Sequence, residues 1–239
     1  MIKGVLIDYG GTIDTNGKHW ANVIWNAYME VGMNVRKEQF MQAYAFGEKA
    51  LAIHPLIKPH YTFDEVLRIK LQQQFDFLTI VAADKLEKIV THCMTLVAAS
   101  IGEARKTLAA LATQYPLVLV SNFYGNIAAV LTDFQINSYF NAIVESAVVG
   151  VRKPNPEIYK LGVKAIGLQA EECVVVGDSF KKDILPGKEA GCQTIWLNVD
   201  GFAEDLENVN NAIADRQITD FAQVPSCIIE WNERYGIST

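Results

Sequence analysis

The sequence lacks several features that would restrict where a protein works and how it folds. It has only four cysteines, Cys93, Cys173, Cys192 and Cys227, which do not show the paired spacing of a zinc site. We therefore expect neither disulfides nor a structural metal to hold the 239-residue fold together, and we predict a reducing, cytoplasmic setting. No run of 18 apolar residues is present, so we predict no membrane span. An apolar strand pattern begins soon after Met1, so we also predict no export signal.

A basic patch is also missing. Lys and Arg number 21 against 27 Asp and Glu, which gives a net charge of −6 at pH 7, and the basic residues do not cluster. Nucleic acids and anionic membrane surfaces bind proteins largely through such clusters. The charge pattern therefore predicts no nucleic-acid partner and no membrane partner, and it favours a small molecule as the ligand.

The sequence does contain a regular alternation of two patterns. Short apolar segments of strand length recur, and segments with helical periodicity follow them. The strand-like segments are Val5–Ile7, Leu117–Val120, Ala142–Val144, Cys173–Val176 and Thr194–Leu197. This alternation predicts βαβ units and therefore an α/β fold with a parallel sheet.

The interval between the first two strands, residues 8–116, is far longer than the dozen or so residues that a crossover needs. Apolar residues recur within it at three- and four-residue spacing, in the segments His19–Val31, Lys37–Leu51, Phe63–Leu78 and Asp84–Val97. Thr62 with Glu65, and Asp84 with Glu87, resemble capping boxes that open two of these helices. We predict an all-helical domain over residues 15–98, inserted into a core formed by residues 1–14 and 99–239.

Polar residues follow the predicted strands at the edge where an open parallel sheet binds ligands. They are Asp8, Thr12 and Asp14 after the first strand, Ser121 and Asn122 after the second, Lys153 after the third, and Asp178, Ser179 and Asp183 after the fourth. We expect these four loops to converge on one site.

Four segments of these loops, IDYGGTID, VLVSN, RKPNPEIY and VVGDSFKKD, resemble in order and spacing the four motifs of the haloacid dehalogenase-like hydrolase superfamily. The resemblance covers the core from residue 5 to about residue 198. It implies a Rossmann-like three-layer α/β/α core with a helical cap inserted after the first motif. It further implies a Mg²⁺-dependent phosphohydrolase that acts on a small phosphorylated substrate through an aspartyl-phosphate.

The acidic residues of these motifs take distinct roles under this interpretation. Asp8 would be the nucleophile, since covalent catalysis by a carboxylate splits one difficult displacement into two easier ones. Asp8, Asp178 and Asp183 would supply the hard oxygens that Mg²⁺ prefers, and the backbone carbonyl of Gly10 could join them. Only one of Asp178 and Asp183 needs to touch the ion, and Asp183 could instead cap the helix that follows it.

The remaining motif residues are expected to handle the phosphoryl group. Lys153, a compact positive charge, would offset the charge of the carboxylates and the substrate during catalysis. Ser121 and Asn122 can donate hydrogen bonds to a transferring phosphoryl group, although capping of a following helix is the alternative for both. Thr12 is expected to orient the first loop through its hydroxyl, and we group it with Ser121 and Asn122 as a substrate-binding residue.

The first motif departs from the superfamily pattern at one position. Most phosphatases of the superfamily carry a second Asp two residues after the nucleophile, where this chain has Gly10. That Asp normally protonates the leaving alcohol and then activates water, and such assistance is typically worth about 10²–10⁴ in rate. We therefore expect metal binding to survive while turnover of ordinary phosphate monoesters falls.

Three interpretations of this glycine remain open. In the first, Asp14 or a cap residue takes over the missing role, and the protein is a phosphatase of unusual design. In the second, DYGGT resembles the phosphonoacetaldehyde hydrolase branch, whose cap lysine forms a Schiff base with the substrate. Lys18, Lys37, Lys49 and Lys58 lie in or near the predicted cap, and none of these four matches the lysine motif of that branch. In the third, catalysis is largely lost and the protein binds a phosphorylated ligand or another protein.

A true haloacid dehalogenase is disfavoured. In dehalogenases the aromatic residue lies two positions after the nucleophile, whereas Tyr9 lies one position after Asp8 and should point to the opposite face of the strand. The intact acidic motif VVGDS also indicates a metal, which dehalogenases do not use.

Overall fold

A six-stranded parallel sheet forms the centre of the computed structural model, which describes residues 1–199 and 214–236. Its strands are β1 Gly4–Ile7, β2 Leu117–Ser121, β3 Ala142–Glu145, β4 Cys173–Gly177, β5 Gln193–Leu197 and β6 Arg216–Ile218. They lie in the order β3-β2-β1-β4-β5-β6, and each neighbouring pair is parallel. The α/β class and the five predicted strands are confirmed. The sequence does not predict β6, because three residues with two polar side chains carry no strand pattern.

Helices follow most of the strands along the chain. They are α1 Trp20–Glu30, α2 Lys37–Ile53, α3 Phe63–Phe77, α4 Ala83–Ala112, α5 Ile127–Asp133, α6 Ser146–Val149, α7 Glu157–Ala165, α8 Leu185–Glu189 and α9 Val224–Gly236. The first four follow β1 and precede β2, which is where the helical insertion is predicted. Among them, α2 packs on α3, while α4 packs on both α1 and α3.

Apolar residues bury both faces of the sheet. Along β1, Val5 and Ile7 belong to a large apolar cluster that includes residues of α4, α5 and α9. Leu6, between them, belongs to a second cluster that is formed largely by α7 and the opposite sides of β2 and β4. Since alternate residues of a strand face opposite ways, these two clusters are the two interfaces of a three-layer α/β/α core.

α4 extends well beyond the predicted segment Asp84–Val97 and runs without interruption through residues 98 and 99. The prediction of a capping box at Asp84 and Glu87 is wrong. The helix begins at Ala83, and its N-cap residue, Ala82, makes no side-chain hydrogen bond. The other capping box is confirmed, since the Thr62 backbone N–H donates to Glu65 at 2.7 Å. The division of the chain at residues 14/15 and 98/99 stays a prediction, and residues 200–213 and 237–239 of the predicted core lie outside the described part.

The strand order creates a switch point beside β1. The chain moves from β1 outward through β2 and β3, and then returns to the other side of β1 with β4. Ligands of open α/β sheets bind at such a point, beyond the carboxyl ends of the strands. The loops that follow β1 and β4 therefore define the place for a site. Within the described residues, no helix is both long enough and apolar enough to span a lipid bilayer.

Candidate active site

Asp8 and Lys153 form a buried ion pair at this edge of the sheet. Asp8 directly follows β1, and Lys153 lies in the loop between α6 and α7. The Lys153 Nζ atom lies 2.6 Å from Asp8 Oδ1, and the two side chains are only 2% and 10% exposed. Asn122 fixes this loop, because its side-chain amide accepts from the Lys153 backbone N–H at 2.8 Å and donates to the Lys153 carbonyl at 3.1 Å.

Asp183 is the second carboxylate around Lys153. Its Oδ1 accepts hydrogen bonds from Lys153 Nζ and from the Tyr159 hydroxyl, both at 2.7 Å. Its Oδ2 accepts from the Ser179 backbone N–H at 3.0 Å, and the side chain is completely buried. Asp183 therefore positions Lys153, and its carboxylate is not used to cap the helix that follows.

Asp178 and Thr12 join the first loop to the loop after β4. The Thr12 hydroxyl donates to Asp178 Oδ1 at 3.0 Å and accepts from the Asp178 backbone N–H at 3.0 Å. Thr12 is fully buried, so its hydroxyl holds the two loops together. Two glycines permit the close approach of these loops. A Cβ on Gly11, whose φ is +93°, would overlap the Asp178 carboxylate, and a Cβ on Gly177 would overlap that of Asp183.

One oxygen from each of Asp8, Asp178 and Asp183 lies within 4.8 Å of the other two. Burial raises the pKa of Asp8 to about 6 even though Lys153 opposes the shift. The pKa of Asp178 is raised well above its usual range, first by burial and then by the charges of Asp183 and Asp8. Burial alone would lower the pKa of Lys153, but the two carboxylates beside it raise it overall.

Three carboxylates thus share one ammonium group in a buried site. The raised pKa values of two of them express the cost of the excess negative charge. A divalent cation would remove that cost, and hard oxygen donors at this spacing suit Mg²⁺. The donor set therefore fits the expected metal.

The acidic group opens onto a cleft of about 1360 Å³ between the core and the helices α1 to α3. Ser121, Asn122 and Gly10 also line it, so all the predicted site residues other than Thr12 contribute to the lining of this cleft. A Cβ added to Gly10 would meet no atom within 4 Å. The space where the superfamily's second Asp would begin is therefore open.

Asp14 lies in the first loop, fully buried beside the cleft. Its Oδ1 accepts from the Gly11 backbone N–H at 2.7 Å, and its Oδ2 accepts from the Trp20 indole N–H at 2.9 Å. Burial raises its pKa to about 7. Both oxygens are thus engaged in holding the first loop and tying it to the start of α1.

Two charged residues of the cap side of the cleft were not predicted from the sequence. Glu48 on α2 and Lys70 on α3 form an ion pair in the cleft wall. The periodicity of α3 could have drawn attention to Lys70, because Lys70 lies on the same helix face as the buried residues Val66, Leu67 and Gln74. A lysine in an apolar stripe points to a special environment.

A family model for haloacid dehalogenase-like hydrolases matches residues 2–191 of this chain. The chain belongs to this family. The match includes all four motifs and the whole of the insertion, so the resemblance inferred from the motifs is confirmed.

Curated relatives match shorter segments. The glyceraldehyde 3-phosphate phosphatase of Pyrococcus furiosus is 35% identical over 91 residues, which cover 38% of this chain and 37% of that protein. The phosphoglycolate phosphatase of Yersinia pestis is 37% identical over 97 residues, covering 40% and 41% respectively. The chain therefore matches less than half the length of each of these relatives.

Solved structures share the fold over nearly the whole chain. A HAD phosphatase from Thermococcus onnurineus aligns over 95% of this chain and 98% of its own, with a TM-score of 0.55 and 18% identity. A 2-haloacid dehalogenase from Pseudomonas syringae pv. Tomato DC3000 aligns over 97% and 100%, with a TM-score of 0.54 and 20% identity. At these identities the likeness concerns the architecture, and it does not separate phosphatase from dehalogenase chemistry.

Proposed function

We propose that the protein is a Mg²⁺-dependent phosphatase that hydrolyses a small phosphorylated metabolite through an aspartyl-phosphate on Asp8. The observation that carries this proposal is the position of Lys153, 2.6 Å from Asp8 and 2.7 Å from Asp183, beside a third carboxylate. The names of the curated phosphatase relatives support the same chemistry.

The carboxylates of Asp8 and Asp178 and the backbone carbonyl of Gly10 would hold the metal, with Asp183 acting through a water molecule. Bound there, Mg²⁺ would offset the negative charge of the phosphoryl oxygens and of the carboxylates. Such compensation is needed because a phosphate dianion approaching several carboxylates is otherwise repelled.

The residues of the chain would divide the reaction between them. A carboxylate oxygen of Asp8 forms a bond to phosphorus while the bond from phosphorus to the leaving oxygen breaks, and water later cleaves the acyl phosphate to release inorganic phosphate. Lys153 keeps the Asp8 carboxylate in position, and Asn122 holds the backbone of Lys153. The Ser121 hydroxyl would donate to a phosphoryl oxygen.

Gly10 supplies no proton to the leaving oxygen and no base for the water. Alkyl phosphates, whose alkoxide leaving group needs a proton, should therefore react more slowly than activated aryl phosphates. Asp14 does not offer an obvious replacement, since both of its oxygens accept hydrogen bonds from Gly11 and Trp20.

The first test compares the wild type with Asp8→Asn in the hydrolysis of an aryl phosphate with Mg²⁺. We expect kcat to fall by about 10³-fold or more, because the nucleophile is lost. Asp84→Asn makes the same Asp-to-Asn substitution at an exposed position, so it is the control and should retain the wild-type rate. Equal rates in the wild type and Asp8→Asn would contradict the proposal, and so would a wild type inactive on every phosphate tested.

The second test is Gly10→Asp, for which the Cβ has open space. We expect the rate on alkyl phosphates to rise by about tenfold or more, within the range of general acid–base assistance. Gly10→Ala adds the Cβ without the carboxyl group and should give no such gain. An unchanged or lower rate in Gly10→Asp would show that another group already performs the acid–base role.

No observation favours the Schiff-base alternative over the phosphatase. Lys70 is a cap lysine in the cleft wall, but Glu48 beside it raises its pKa well above the usual range, against the effect of burial. A Schiff base requires a neutral amine, so this environment opposes it.

A further inference from the structure

The cap side of the cleft carries a charged group that lies outside the four core motifs. Glu48 Oε1 lies 2.6 Å from Lys70 Nζ, and we call these two residues the cap pair. Tyr124, in the loop after β2, donates its hydroxyl to Glu48 Oε2 at 3.1 Å. Lys70 Nζ also lies 5.6 Å from the centre of the Tyr124 ring. The cap pair and Tyr124 line the same cleft as Asp8.

A purely structural role would be to join α2 to α3, which already pack closely. That role does not require a charge at position 70, where the buried stripe of α3 would accept an apolar side chain. Replacing a buried ion pair by apolar residues is often neutral or stabilising. The Lys70 side chain is nevertheless only 13% exposed, so its charge is kept where it is costly and where a ligand can reach it.

The cap pair has unused hydrogen-bonding capacity. An ammonium group has three N–H donors, and the described acceptors near Lys70 are the Glu48 carboxylate, 2.6 Å away, and the Tyr124 hydroxyl. Glu48 Oε2 accepts a hydrogen bond from the Tyr124 hydroxyl, whereas Glu48 Oε1 is in ion-pair contact with Lys70 but is buried without a hydrogen-bond partner among the described residues. A carboxylate can accept about four hydrogen bonds. The pair can therefore both donate to and accept from a bound group.

The charge of the cap pair selects between ligand types. Its net charge is zero, so an anionic group would gain from Lys70 and be repelled by Glu48. A hydroxyl can accept from Lys70 and donate to Glu48 at the same time. Lys182, in the helical turn Phe180–Ile184 after β4, is near enough to lower the pKa of Glu48. Its side chain is exposed, so solvent and salt screen its charge.

We propose that Glu48 and Lys70, supported by Tyr124, bind a hydroxyl group on the part of the substrate that is not phosphorylated. The substrates are then hydroxylated organic phosphates of the polyol or sugar phosphate class. This inference rests on the proposed phosphatase function, and it assigns substrate selection to these three residues.

The test measures kcat/KM for matched pairs of phosphates with Mg²⁺. The pairs are glycerol 3-phosphate with propyl phosphate, erythritol 4-phosphate with butyl phosphate, and ribitol 5-phosphate with pentyl phosphate. We expect the wild type to prefer the hydroxylated member of at least one pair by about tenfold to a hundredfold, the usual worth of hydrogen bonds to charged groups. The double variant Glu48→Gln/Lys70→Met should bring that ratio to within about threefold, because neither charge remains to discriminate.

Two further variants control for a general disturbance of the cap. Lys49→Met removes a neighbouring exposed charge of the same cleft and should keep the wild-type ratio. Tyr124→Phe removes only the hydroxyl that supports Glu48 and should lower the ratio by several-fold. If thermal unfolding shows that the double variant is not folded, the ratios measured for Tyr124→Phe and Lys49→Met decide the outcome.

The outcomes separate this inference from the proposed function. Hydrolysis of all compounds without any preference overturns the inference and leaves the phosphatase proposal intact. A preference for the hydroxylated compounds that survives in the double variant also overturns the inference. So does a wild-type preference for phosphoglycolate over ethyl phosphate that the double variant loses, because the cap pair would then bind an anionic carboxylate and not a hydroxyl. If the wild type hydrolyses nothing, the phosphatase proposal fails, and calorimetric binding of the same pairs to the wild type decides the inference by the same ratios.

Discussion

Two groups of charged residues line the cleft, one on the core side and one on the cap side, and they differ in charge balance. We call these two sides the core end and the cap end. At the core end, the carboxylates of Asp8, Asp178 and Asp183 share the single ammonium of Lys153. At the cap end, Glu48 and Lys70 balance one another. An unbalanced buried cluster is stabilised by a further cation, whereas a balanced cluster needs none. This difference is the basis on which we propose metal and phosphoryl chemistry for the core side and selection of the rest of the substrate for the cap side.

The balance is visible in the pKa shifts. At the core end, burial and mutual repulsion raise the pKa of Asp178, although it is an acid that must ionise to bind metal. At the cap end, burial would raise the pKa of Glu48, but Lys70 lowers it overall. Ionisation of the carboxylate is thus opposed at one end and favoured at the other.

The largest expected difference is in stability. Lys153→Met leaves Asp8 and Asp183 buried without their cation, and we expect the free energy of unfolding to fall by about 3–5 kcal/mol. Removing both charges of the cap pair in Glu48→Gln/Lys70→Met should change it by less than about 1.5 kcal/mol, because no unpaired charge is left. Urea unfolding at pH 7.5 without divalent cations measures both. Equal losses in the two variants would show that the two clusters do not differ in charge balance.

A smaller effect on stability, one that depends on pH, should come from Asp14, a further buried carboxylate beside the core end. Its pKa is raised from 3.8 to about 7 by burial, so between these values the folded state binds more protons than the unfolded state. The free energy of unfolding should therefore fall as pH rises through this window, by about 1.4 kcal/mol per pH unit for one proton.

Asp14→Asn removes this titration, and urea unfolding from pH 4.5 to 7.5 should show a shallower slope than in the wild type. Asp84 is an exposed carboxylate, so Asp84→Asn is the matched control and should leave the dependence of stability on pH unchanged. A wild-type stability that rises over this pH range, or a slope that Asp14→Asn leaves intact, would contradict the assignment.

The core end was predictable from sequence because its residues lie in the segments that follow the carboxyl ends of strands, directly for Asp8 and Asp178 and after the short helix α6 for Lys153. The carboxyl ends of parallel strands meet at one edge, so the positions of Asp8, Asp178 and Lys153 along the chain already predict that they lie close together. The partners that set the geometry were less accessible. Asn122 was expected to contact substrate, and only the three-dimensional arrangement reveals that its amide holds the backbone of Lys153. Tyr159 lies within the third motif but shows no pattern that predicts its hydrogen bond to Asp183.

The cap end was not predicted because helical periodicity describes burial and not contact between helices. Glu48 and Lys70 lie on different helices, and their pairing depends on how α2 packs on α3. Tyr124 comes from a core loop that reaches the cap. The length of α4 was also underestimated, since a helix that passes from the cap to the core changes its buried partners without a break in its pattern.

The most direct measurement is the change in the free energy of unfolding on adding Mg²⁺. If the core end lacks one cation, Mg²⁺ at about 100 times its Kd should stabilise the wild type by about 2.7 kcal/mol. Asp178→Asn should lose most of this gain, and Glu48→Gln/Lys70→Met should keep it. No stabilisation of the wild type, or an equal loss in both variants, would contradict the assignment of the metal to the carboxylates of the core.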